Sequence, residues 1–102
     1  MVNPEIENLH EQIDSIDSEI ISLLESRFEI SKKIGEFKAQ HSLPIENKER
    51  EAEILAQISE QTSLSKEFIR ELFEIIFKES KKLQNENNSK NSTSTSTENP
   101  SS

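Results

Sequence analysis

The chain of 102 residues has no cysteine, no tryptophan and no tyrosine, and it carries one glycine and three prolines. Without cysteine there is neither a disulfide framework nor a thiolate metal site, and its two histidines, His10 and His41, do not stand at a zinc-ligand spacing. No metal is therefore expected. There is little from which to build a sheet, and no apolar run is long enough to span a bilayer. The start shows no signal-peptide pattern, so a soluble cytoplasmic protein is expected. Acids outnumber bases by twenty to twelve, for a formal charge of −8. A nucleic-acid partner wants a basic face, so this balance argues against one, and any attraction for an anionic ligand must be local.

What is present is Glu, Lys, Ile, Leu and Ser, the composition of one small all-α domain. Ile6, Leu9, Ile13, Ile16, Ile20, Leu23, Arg27, Ile30, Ile34 and Phe37 follow an unbroken 3-4-3-4 spacing, the seam of one long helix. Arg27 is the charged member of that seam. A guanidinium cannot shed its charge to escape burial, so it needs an anion, either a carboxylate of the protein or one that arrives from outside. The plain alternative is a polar residue that sets register or oligomeric state in a coiled coil. Lys38 follows eleven residues later, about three full turns on, so both cations point the same way at roughly 16 Å along the axis. Lys38 alone is better read as an ordinary solvated lysine suited to a helix C-terminus.

The pattern predicts three helices. The first runs from about Pro4 to about Gln40 and breaks at His41-Ser42-Leu43-Pro44. At about 1.5 Å per residue it is roughly 55 Å long, more than a domain of this size covers by itself, so its apolar stripe asks for a second copy of the chain. Gly35 inside it costs roughly 1 kcal/mol against alanine, which suggests a close helix approach. The second helix is expected from an N-cap at Asn47 to near Gln61, with Ala52, Ile54, Leu55 and Ile58 inward. The third is expected from about Lys66 to Gln84, after a cap near Ser65, with Phe68, Ile69, Leu72, Phe73, Ile76 and Leu83 buried. Ser80 and Gln84 fall on that same stripe, where apolar residues would pack better; Ser80 bonding back to its own helix and Gln84 fraying into solvent is the alternative. The stretch 85–102 is rich in Ser, Thr and Asn and is expected to be a disordered tail.

Three segments, IDSIDSEIISLLESRFEISKKIGEFK, PIENKEREAEIL and FIRELFEIIFKESKKLQ, together resemble the all-helical class of chorismate mutases. The resemblance covers about residues 5 to 84, and it is specific because it spaces several polar residues across three helices. It implies an intertwined homodimer in which long first helices pair antiparallel and each site draws on both chains. It also implies that Arg27 grips a carboxylate of chorismate, and that Lys38 binds a carboxylate and the ether oxygen of the breaking bond. Gln84 would donate to that ether oxygen from the other side. Arg50 and Ser80 would help hold the second carboxylate, while Glu51 and the backbone at Asn47 would take the ring hydroxyl. No cofactor is implied. The sequence departs from the family pattern at His10, which stands where an arginine usually reaches into the partner's site. His10 lies roughly 25 Å from Arg27 along one helix, so it can serve only across a dimer. Being mostly neutral at pH 7, it is a weaker electrostatic clamp than arginine. Two other readings remain open: a related lyase that removes pyruvate from isochorismate, and a helical dimer that binds or regulates without catalysis. The Arg50-Glu51 pair favours the mutase over the lyase.

Overall fold

Where each helix begins is set by a side chain that accepts from the first free backbone N–H groups. In the computed structural model, which describes residues 3–93 and the side chains of 3–86, the elements are α1 (Pro4–Gln40), α2 (Lys48–Gln61) and α3 (Lys66–Thr93). There is no strand among the described residues. Asn3 Oδ1 accepts from Glu5 N at 2.9 Å and Ile6 N at 3.3 Å, and Pro4, which has no N–H to satisfy, takes the first helical position. Asn47 Oδ1 accepts from Arg50 N at 3.0 Å and Ser65 Oγ from Phe68 N at 2.9 Å, so both expected caps are made. Loss of such a cap typically costs about 1 kcal/mol.

The end of α1 is a Schellman turn. Leu43 N donates to Lys38 O at 2.8 Å and Ser42 N to Ala39 O at 3.4 Å, with Ser42 at φ 55°. That left-handed position usually takes glycine; a serine there carries a cost of about 1–2 kcal/mol, and Pro44 just beyond blocks any return to helix. The break at residues 41–44 is thus where the sequence puts it.

Two units make up the chain, residues 1–30 and 31–102. The first contains the N-terminal part of α1. Its seam residues Ile6, Leu9, Ile13, Ile16, Ile20 and Leu23 are all exposed, Leu23 to 70%. Nothing among the described residues covers this stripe. A row of exposed apolar side chains on one helix face is uncommon in a monomer.

The second unit holds the remainder of α1 with α2 and α3. Its buried apolar residues are Ile69, Ile76 and Phe77, with Phe73 half-buried and tilted against Phe77 at 5.8 Å between ring centres. Each such side chain contributes about 1.5–3 kcal/mol when fully buried. Ile54, Leu55 and Ile58 of α2 are half-buried as expected, whereas Ala52 is exposed. Phe68 and Leu72 are also exposed, against expectation. In this unit the face of α1 that is buried is not the apolar seam: Ile34 and Phe37 lie open, while Ser31 and Gly35 are buried.

Past Gln84, the expected end, α3 continues to Thr93. Residues 85–93 contain neither proline nor glycine, and extending a helix already nucleated costs little per residue. Of the stretch expected as a disordered tail, 94–102 lies outside the described residues.

Candidate active site

Small residues on α1 let α3 come close, and the polar side chains of α3 that meet them are buried. A Cβ placed on Gly35 would lie 2.8 Å from Gln84 Cα and 3.0 Å from its Cβ and Cγ, closer than ordinary packing allows. The glycine is therefore required by the approach of α3 at this point. One helical turn earlier, the Ser31 hydroxyl donates to the Ser80 hydroxyl at 3.2 Å, and both serines are buried. Ser80 thus bonds across to α1 as well as lying on its own stripe. Gln84 does not fray. It is 7% exposed, and its Oε1 has no hydrogen-bond partner among the described residues. Leaving such an acceptor unsatisfied costs about 1–3 kcal/mol.

The loop after α1 brings in a second group. Lys38 is half-buried and its Nζ donates to Ile45 O at 2.8 Å, which aims the ammonium toward the segment that leads into α2. Asn47, two residues on, caps α2 and presents Glu51 one turn later. Glu51 is half-buried, and its Oε2 meets Lys81 Nζ of α3 at 3.2 Å. The same Nζ meets Glu46 Oε2 at 3.2 Å. These partners raise the Lys81 pKa above its ordinary value, the hydrogen bond that Lys81 donates to Glu46 most, against desolvation, with Glu51 adding to it. Lys48 also lies near Glu46 Oε2, at 4.0 Å, from a largely exposed position.

Lys38, Asn47, Glu51, Ser80 and Gln84 therefore all belong to the second unit, linked by Ser31, Gly35, Ile45 and Lys81. Arg50 is exposed, and its Nη1 pairs with Glu53 Oε1 at 3.4 Å within α2. Arg27 and His10 lie in the first unit, Arg27 half-buried and His10 exposed. A separate open groove of about 470 Å³, lined by Leu55, Ala56, Ser59, Glu60, Lys66 and Arg70, contains none of the candidate residues.

Sequence reasoning missed Ser31, Glu46 and Lys81. Ser31 carried a signal, since Arg27, Ser31, Gly35 and Lys38 recur at helical spacing along α1. The Lys81 contacts carried none, because they join residues 35 and 30 positions apart in sequence.

Three helices with Ser31, Ser80 and Gln84 buried define an all-helical domain with a polar interior. The model of the family described as chorismate mutase type II matches residues 9–85, and this chain belongs to that family. Among characterised relatives it is 46% identical over 54 residues to a bifunctional chorismate mutase/prephenate dehydratase of Aquifex aeolicus (strain VF5), covering 53% of this chain and 15% of that protein. It is 32% identical over 84 residues to a T-protein of Haemophilus influenzae, covering 79% of this chain and 22% of that one. The chain thus spans a minor part of the length of these relatives. A solved structure described as a conserved hypothetical protein from Pyrococcus furiosus is 40% identical, with a TM-score of 0.69, covering 81% of this chain and 99% of that chain.

Proposed function

We propose that this chain converts chorismate to prephenate, acting as a homodimer of intertwined first helices. The reaction is a unimolecular rearrangement: one C–O bond breaks and one C–C bond forms within the substrate. It calls for no nucleophile, and the protein accelerates it by holding the flexible dianion in its compact shape and by stabilising charge that grows on the ether oxygen. Arg27 grips one carboxylate. Lys38 binds a carboxylate and the ether oxygen, and Gln84 donates to that oxygen through its amide nitrogen. Arg50 and Ser80 help with the second carboxylate, Glu51 and the Asn47 backbone take the ring hydroxyl, and His10 reaches across from the partner chain.

The observation that carries this reading is Gln84. Its amide is buried where an apolar residue would pack better, which is costly without a polar partner, and its Nε2 is a donor of the kind from which an ether oxygen accepts. Membership of the chorismate mutase family supplies the ligand class. The homodimer is supported by the apolar stripe of α1, which none of the described residues covers. Purified protein incubated separately with chorismate and with isochorismate tests the function. Prephenate from chorismate is the expected product; pyruvate from isochorismate would establish the lyase, and neither product would establish a binding module.

A further inference from the structure

One side chain outside the proposed substrate contacts is tied to two carboxylates at once. Lys81 sits on α3 directly after Ser80, and its ammonium meets Glu46 Oε2 and Glu51 Oε2, each at 3.2 Å. An ammonium offers three donors, enough for both. We propose that Lys81 is a positioning residue, which holds the Glu51 carboxylate by Oε2 so that Oε1 is presented to the ring hydroxyl of the substrate. This rests on the mutase reading given above.

The geometry explains why the task falls to Lys81. Glu51 is set on α2 by the Asn47 cap, but its own torsions leave the carboxylate free to swing into solvent. Glu46 lies just before α2, and two carboxylates sharing one side of that segment repel each other unless a cation stands between them. Lys81 stands there. Lys48, at 4.0 Å from Glu46 with a side chain 82% exposed, is too distant and too mobile to replace it. Glu46 in turn anchors Lys81, so that the ammonium does not follow Glu51 outward. With side chains 32% and 24% exposed, the Lys81–Glu51 pair lies near the surface, where ion pairs add little to folding. Its principal effect is therefore on orientation. Glu46 also adjoins Ile45, whose carbonyl receives Lys38, so the same anchor steadies the segment on which a proposed catalytic lysine rests.

Steady-state kinetics on chorismate with the full chain test this, using wild type, Lys81→Met, Lys81→Arg, Glu51→Ala and the Lys81→Met/Glu51→Ala double variant, each checked for helix content by circular dichroism. Lys81→Met is expected to lower kcat/KM about tenfold, mainly through KM, because a hydroxyl contact is made in ground and transition states alike. Lys81→Arg is expected to recover most of that loss. Once Glu51 is alanine, adding Lys81→Met is expected to change kcat/KM less than threefold, since the group it positions is gone. The proposal is overturned if Lys81→Met matches wild type, if it is as harmful beside Glu51→Ala as alone, or if it melts the helices. An inactive wild type overturns the mutase reading itself, and this inference with it.

Discussion

Replacing Gly35 by alanine sets two effects of similar size against each other. Alanine is the better helix former by about 1 kcal/mol, so in an open helix the change stabilises. Here the new methyl would sit 2.8 Å from Gln84 Cα and 3.0 Å from Gln84 Cβ and Cγ. Carbon atoms pack best at about 3.5–4.0 Å, so α1 and α3 must separate by roughly 0.7–1.2 Å. One of the contacts is to backbone, so a new Gln84 rotamer does not relieve it. Overpacking of this kind costs about 1–3 kcal/mol, and the net expectation is a loss of about 1 kcal/mol, or about 4–8 °C in Tm for a domain of this size. Activity should suffer far more. A displacement near 1 Å of a group that meets the reacting atoms can cost about a hundredfold in rate, so kcat on chorismate should fall by about that factor. Thermal melts at one fixed protein concentration, paired with kinetics, measure both. A Gly35→Ala protein that melts higher than wild type and keeps its kcat would refute the close approach of α1 and α3 at this point.

Other changes separate the proposed roles. Arg27→Ala and Lys38→Ala should each lower kcat/KM a hundred- to a thousandfold, the usual cost of one lost preorganised donor, while circular dichroism stays near wild type. If Arg27→Ala instead unfolds the protein, its anion is structural and the coiled-coil reading of Arg27 holds. His10→Arg should raise kcat/KM, because a guanidinium is always charged and grips a carboxylate through two parallel N–H donors. An unchanged kcat/KM in both His10→Arg and His10→Ala would put His10 outside the site. Sedimentation should find a dimer whose folding and association are coupled; a stable folded monomer at low micromolar concentration would refute the proposed pairing of the first helices.

The ends of the helices were legible because the forces that set them are local. Pro4, the cap at Asn47, the cap at Ser65 and the break at His41-Ser42-Leu43-Pro44 each act within a few residues, and each is found where the sequence puts it. Gly35 was legible as a close approach, since a glycine in mid-helix needs a reason. Periodicity likewise showed that Ser80 and Gln84 occupy an inward stripe, and both are buried. The far end of α3 was less so, because its apolar stripe stops at Leu83 while helix propagation carries it on to Thr93.

By itself, then, the sequence determined that this is an all-helical chain with three helices, where they start, and which positions on them break the apolar pattern. Tertiary structure decided which face meets which. Ile30, Ile34 and Phe37 continue the apolar seam yet stay exposed in the single chain, whereas Ser31 and Gly35, one step around the helix, are the residues that pack. A hydrophobic stripe marks a face to be covered but does not name its cover, and small residues admit a neighbouring helix closer than large ones do. The Lys81 clamp on Glu46 and Glu51 was decided in the same way. Charge pairs between helices depend on the register of α2 against α3, a quantity that packing sets and no local spacing encodes.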